Sequence, residues 1–103
     1  MSRIILSTYP NGQERVVVGY DGPLGFFAHE YDDEGEALRD VGMGGGIDTT
    51  EKLAREAAAG GITITWSVPL RDTLRAHTRL EYPASNVIVD FTQEEWNVIG
   101  RHP

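Results

Sequence analysis

Two runs rich in β-branched residues open the chain, and a turn sequence separates them. Residues 3–9 (RIILSTY) and 15–21 (RVVVGYD) have the composition of strands, and Asn11-Gly12 supplies the positive φ that a tight turn requires. After the break DGPLG, residues 26–31 (FFAHEY) continue as a third strand. The pattern therefore predicts an antiparallel meander in the first third of the chain.

The middle of the chain loses this pattern and the second half regains it. Residues 32–46 combine an acidic cluster with GMGGG and hold little apolar surface, so we predict one long mobile loop there. Residues 62–68 (ITITWSV) alternate apolar and polar side chains, which is the period of a strand. Residues 86–91 (NVIVDF) predict a last strand.

Helical signals lie between and after these strands. A helix is predicted over 49–59, because Asp48 can cap its free amides and Gly60 can end it. A second helix is predicted over 70–81, with Leu70, Leu74 and His77 on one side. Thr92 opens a short terminal helix. These elements predict a single α+β domain over 1–103, with two to three helices packed on one face of the sheet.

The composition fits one small core. The chain has 103 residues, of which 40% are hydrophobic, so a second independent core has too little material. No apolar run reaches the length of a membrane span, and the N-terminus lacks the pattern of a secretory signal. With no cysteine, the chain has no thiolate site and suits a reducing cytoplasm. Eight of the nine Lys and Arg residues are arginine, which is typical of a high-GC bacterial or phage genome.

The net charge of −7 argues against a nucleic-acid binder, because affinity for phosphate backbones depends on Lys and Arg. Residues 1–51 hold ten acids and three basic residues, whereas 52–103 hold six of each. The leading hypothesis is a non-enzymatic, acidic protein-interaction domain of bacterial, phage or plasmid origin, with an accessory or regulatory role, that binds a basic partner surface. Its predicted contact residues combine the acidic cluster with the adjoining strand: Phe27, His29, Glu30, Tyr31, Asp32, Asp33, Glu34 and Glu36. A merely solvated acidic face is the alternative.

Two functions of other classes stay open. One is a small-molecule or phosphate-binding domain that combines His29 with a glycine loop formed by Gly42, Gly44, Gly45 and Gly46. Against it, Ile47 stands where a dinucleotide fingerprint needs glycine, and no strand is predicted before Gly42. The other is a structural homo-oligomer formed by pairing of sheet edges.

Further chemistry is sparse. A calcium-loop template places Glu30, Asp32 and Glu34 at its first ligand positions but Val41 at its closing position, so no metal site is predicted. Arg71, Arg75 and Arg79 form a basic stripe at helical spacing, which predicts a solvated helix face or, as the alternative, a site for phosphate or an acidic partner.

The histidines show no metal-binding spacing, and no catalytic signature accompanies them. His77, among leucines, is expected to be a buried, hydrogen-bonded structural residue. We expect no catalytic residue and no cofactor.

The N-terminal third carries one resemblance. YPNG at Tyr9 to Gly12, followed by RVVVGYDGPLGFF at Arg15 to Phe27, resembles small bacterial proteins that open with a YP(D/N)G turn, a VVGWD-like strand end and a PL…FF segment. Tyr20 stands where that pattern has Trp. The resemblance covers about the first 30 residues, and it implies no activity.

Overall fold

The computed structural model describes residues 2–78 and 87–90, with side chains from 3 to 78. These residues form an α+β domain with five strands and two helices, and neither helix is long and apolar enough to cross a membrane. In chain order the elements are β1 (Ser2–Thr8), β2 (Glu14–Asp21), β3 (Gly25–Tyr31), β4 (Ala37–Val41), α1 (Thr50–Ala59), α2 (Val68–His77) and β5 (Val87–Asp90).

The strands form one sheet in the order β4-β3-β2-β1-β5. The first four strands are antiparallel, and β5 lies parallel to β1. The predicted hairpin is confirmed: the amide of Gly12 donates to the carbonyl of Tyr9 at 2.8 Å, and Gly12 has φ 88°. The predicted third and last strands are confirmed as β3 and β5.

Both helices pack on the same face of the sheet. There α1 contacts β3 and β4, and α2 contacts β2. The sheet contributes Ile4, Leu6, Val16, Val18, Phe26 and Ala28 to the shared core, and the helices contribute Leu53, Ala57, Leu70 and Leu74. Because side chains alternate along a strand, the opposite face carries the buried residues Ile5, Val17 and Phe27.

The single loop predicted over 32–46 is wrong in its architecture, because β4 forms inside it. Residues 32–36 make a tight turn, β4 pairs with β3, and only the stretch from Gly42 onward is a loop. The sequence of β4 shows no apolar alternation because four of its five residues are exposed. β4 pairs with β3 through backbone hydrogen bonds, and the pattern of apolar side chains along the sequence does not report such bonds. The mobility of the segment stays a prediction.

The strand predicted over 62–68 is also wrong. Residues 62–67 connect α1 to α2 without joining the sheet, although Ile62, Ile64 and Trp66 do pack on the core, and Val68 begins α2 and is exposed. The alternation over 62–66 therefore reports which side chains face the core, and not a backbone partner.

The first residue of each helix differs by one or two positions from the predicted one. Thr49, rather than Asp48, caps α1 by accepting the amide of Lys52 at 3.1 Å. Ser67 caps α2, and Pro69 lies in its first turn as expected. The predicted continuation of this helix beyond 78 and the terminal helix from Thr92 lie outside the described residues.

Candidate functional site

The acidic turn, residues 32–36, joins β3 to β4 and is held by its own hydrogen bonds. One carboxylate oxygen of Asp32 accepts the amides of Glu34 and Glu36, both at 2.9 Å. The amide of Asp32 donates to the carbonyl of Glu36 at 2.8 Å. The neighbouring β1–β2 turn adds a further bond, since the Asn11 side-chain amide donates to the carbonyl of Asp33 at 2.9 Å. These four hydrogen bonds define the shape of the turn.

The five acids predicted as contacts have different roles. Glu30 forms an ion pair with Arg39 across the β3–β4 ladder, and the carboxylate of Asp32 binds backbone amides. Asp33, Glu34 and Glu36 are exposed, and none of them forms an ion pair with another described side chain. Two of the five carboxylates therefore have protein partners in the described part of the chain, and three are exposed.

Phe27, His29 and Tyr31 form an aromatic row on the sheet face away from the helices. The rings of Phe27 and His29 meet edge to face with centroids 5.0 Å apart, and the ring of Tyr31 stacks on His29 at 5.8 Å. Phe27 is only 2% exposed, so it cannot meet a partner directly, whereas His29 and Tyr31 are half-buried. His29 Nδ1 lies 2.5 Å from Asp40 Oδ1, which ties β3 to β4.

A cavity of about 540 Å³ lies where β4 passes into the glycine loop, residues 42–46. Its walls are the end of β4, the four glycines of the loop, and the side of α1 that carries Lys52 and Glu56. Lys52 Nζ donates to the carbonyl of Gly46 at 2.8 Å. His29 does not line the cavity, but its partner Asp40 does. A strand therefore does precede Gly42, contrary to the sequence analysis.

The loop needs glycine at Gly42. This residue has φ 92°, and a Cβ atom there would collide with the carbonyl oxygen of Phe26 and lie 3.0 Å from Phe27 Cα. The backbone of the loop therefore presses directly on β3.

The two described residues of the basic stripe have different partners. Arg75 pairs with Glu51 and approaches Asp72, while the guanidinium of Arg71 lies over the Trp66 ring at 6.0 Å. The pKa of Glu51 is lowered, first by hydrogen bonding to its backbone and then by Arg75. Arg79 lies outside the described residues.

His77 is buried in α2 as expected, and burial lowers its pKa. Its Nδ1 has no hydrogen-bond partner in the described part of the chain, so the expected bond is not found at this atom. Within the same residues, no group of three or more acidic or histidine side chains is placed to hold a metal ion. His102 lies outside them.

Sequence reasoning missed three contributors to these sites. The pairing of Asp40 with His29 depends on strand register, which the sequence does not display. Lys52 and Glu56, by contrast, are four apart in a predicted helix and could have been recognised as one side of it. Asp32 and Gly35 are three residues apart, as in a tight turn, and this spacing was the only sequence signal for β4, whose edge is exposed.

No protein-family model, curated protein or solved structure matches the chain. The interpretation of the acidic turn and the cavity therefore depends on the residues of this chain alone.

Proposed function

We propose that this chain is a non-enzymatic protein-interaction domain whose acidic turn binds a basic surface on a partner protein. The bacterial, phage or plasmid origin and the cytoplasmic location expected from the sequence belong to the same proposal. One observation carries it: Asp33, Glu34 and Glu36 present three exposed carboxylates, none of which forms an ion pair with a described side chain, on a turn closed by its own hydrogen bonds.

Electrostatics and packing have separate parts in this proposal. The three carboxylates speed the encounter with a basic surface, and this effect weakens as salt is added. Tyr31 supplies an aromatic surface beside the turn, and its backbone carbonyl is already fixed by the hydroxyl of Tyr9 at 2.8 Å. A partner that packs on this ring gains a contact whose conformation is set before binding, so its loss raises the dissociation rate.

The test compares two variants with the same change of charge. The turn variant carries Asp33→Asn, Glu34→Gln and Glu36→Gln. The control carries Asp48→Asn, Glu51→Gln and Asp72→Asn, which are exposed acids of the helical layer. A partner captured from the source cell by the wild type and by the control, but lost with the turn variant, supports the proposal.

Association rates of the captured partner then complete the test. We expect the turn variant to slow association and to flatten its salt dependence, while the control leaves both near wild type. A partner whose association is unchanged in the turn variant and indifferent to salt contradicts the proposal.

The cavity favours a second candidate function, which is small-molecule binding at the glycine loop. It offers about 540 Å³ of space, and the charged residues that line it are Lys52, Glu56 and Asp40. A library of small anions and zwitterions, screened by thermal shift against the wild type and Lys52→Met, tests it. A compound that stabilises the wild type but not the variant supports this candidate, and equal shifts in both contradict it.

A further inference from the structure

The edge of the sheet at β4 has backbone hydrogen-bonding groups that no described strand pairs. β4 pairs with β3 on one side, and no described strand lies on its other side. In an antiparallel pair, every second residue directs its amide and carbonyl away from the partner strand. Residues 37–40 are exposed and Val41 is half-buried, so solvent reaches this edge. Such an edge is a template for a further strand.

Proteins commonly protect such edges with charges or bulges, and here this protection is incomplete. The bulge lies near the turn, where Leu38 is the unpaired residue and is 53% exposed. The side chains of the next two residues are both bound by β3, since Arg39 forms an ion pair with Glu30 and the carboxylate of Asp40 contacts His29 Nδ1. The second half of β4 therefore presents a regular ladder whose charged side chains already have partners on β3.

The charges at the two ends of β4 favour one kind of occupant. The acidic turn precedes the strand, and Glu56, which forms no ion pair with a described side chain, lies in the cavity beside its end. Lys52 is held on the loop side by the carbonyl of Gly46. A second copy of the chain brings another net charge of −7 to this surface, so repulsion opposes self-pairing.

We infer that a basic, extended segment of the partner binds as an added strand along β4, with one basic side chain at the acidic turn and another in the cavity beside Glu56. This inference rests on the proposed function and specifies its mode of binding. Five residues of strand span roughly 17 Å, so the two basic residues of the partner lie about five positions apart. Main-chain hydrogen bonds give the affinity, and the two acidic positions select the side chains.

The probe is a peptide of about ten residues that alternates arginine and threonine, long enough to cover β4. Its control alternates arginine and proline, which keeps the charge and length but removes amide donors and disfavours a strand. We expect the threonine peptide to bind about tenfold more tightly, because several backbone hydrogen bonds are lost in the control. Amide exchange of isotope-labelled protein should slow at alternate residues of β4 when this peptide binds.

The cavity contact is tested with Glu56→Gln, which should weaken the threonine peptide about threefold, as expected for one exposed ion pair. Arg55→Gln on the exposed side of α1 is the matched control and should leave affinity no weaker. Equal affinities of the threonine peptide for the Glu56→Gln variant and the wild type overturn the cavity contact.

The other outcomes separate this inference from the proposed function. If both peptides bind equally and both weaken with the turn variant, the acidic docking surface stands and strand addition is overturned. If β4 amides become protected as protein concentration rises without peptide, a second copy is the occupant and the inference is wrong. Absence of binding by either peptide at low salt also overturns it, while the capture experiment still decides the proposed function.

Discussion

The two ends of β4 achieve their shapes in different ways. At the turn end, side chains hold the backbone: Asp32 accepts two amides, and Asn11 donates to Asp33 from the neighbouring turn. At the loop end, the glycines have no side chains to offer, and the backbone itself is pressed against β3 at Gly42. The comparison shows that an acidic segment and a glycine segment, both typical of flexible loops in sequence, depend on different interactions for their conformation.

The largest expected effect comes from the loop end. Gly42→Ala should reduce the free energy of unfolding by about 3 kcal/mol, because the new Cβ meets the carbonyl oxygen of Phe26 and the residue has positive φ. The control is Gly44→Ala, where nothing lies within 4 Å and φ is not in the left-handed region. Denaturant unfolding measures both variants, and equal midpoints would show that the loop can relax away from β3.

A smaller effect is expected at the β1–β2 turn, whose Asn11 supports the turn end of β4 and where conformation matters without crowding. Gly12→Val should cost about 1–2 kcal/mol, since φ is 88° but no atom lies within 4 Å of a new Cβ. Gly22→Val is the matched control in another open turn whose φ is not in the left-handed region. Thermal melts should lower the midpoint for Gly12→Val only, and an unchanged midpoint would contradict the turn geometry.

The next smaller loss of stability is expected when the side chain that supports the acidic turn is removed. Asp32→Ala removes the acceptor for two amides and should cost about 1 kcal/mol, in the range of a lost capping residue. Asp33→Ala removes a neighbouring carboxylate that forms no ion pair with a described residue and should cost far less. Amide exchange at Glu34 and Glu36 should quicken in the first variant alone. Equal exchange in both would mean that the turn holds without Asp32.

The smallest effect belongs to the one side chain that holds the glycine loop in the described structure. Lys52→Met removes the bond to the Gly46 carbonyl and should cost about 0.5 kcal/mol. Arg55→Met, on the exposed side of the same helix, is the control for the loss of one cation from α1. A cost of Lys52→Met as large as that of Asp32→Ala would show that side chains support both ends alike.

The sequence is sufficient to predict the fold where one local signal determines the structure. Asn11-Gly12 between two β-branched runs predicts the hairpin, because few other conformations suit that pair. β4 escaped prediction because an exposed edge strand has no buried side to impose a period. The strand prediction for residues 62–68 was wrong for the opposite reason. The apolar and polar residues do alternate there, but the alternation reflects contact with the core.

The candidate site shows the same division. The acidic cluster could be located from charge alone. Which of its members is ion-paired, as Glu30 is with Arg39, and which is exposed, as Asp33 is, depends on the register of β3 with β4. The cavity needs the loop, the strand and α1 together, so no local pattern contains it.

The parallel pairing of β5 with β1 has a consequence for the order of events during synthesis. Strands β1 to β4 pair with sequence neighbours, so this meander can fold as soon as residue 41 is free of the ribosome. The outer edge of β1 must wait, because Ser2 pairs with Val87 near the other end of the sequence. During translation that edge is therefore open longest to wrong partners, and slow codons between residues 41 and 87 would prolong its exposure.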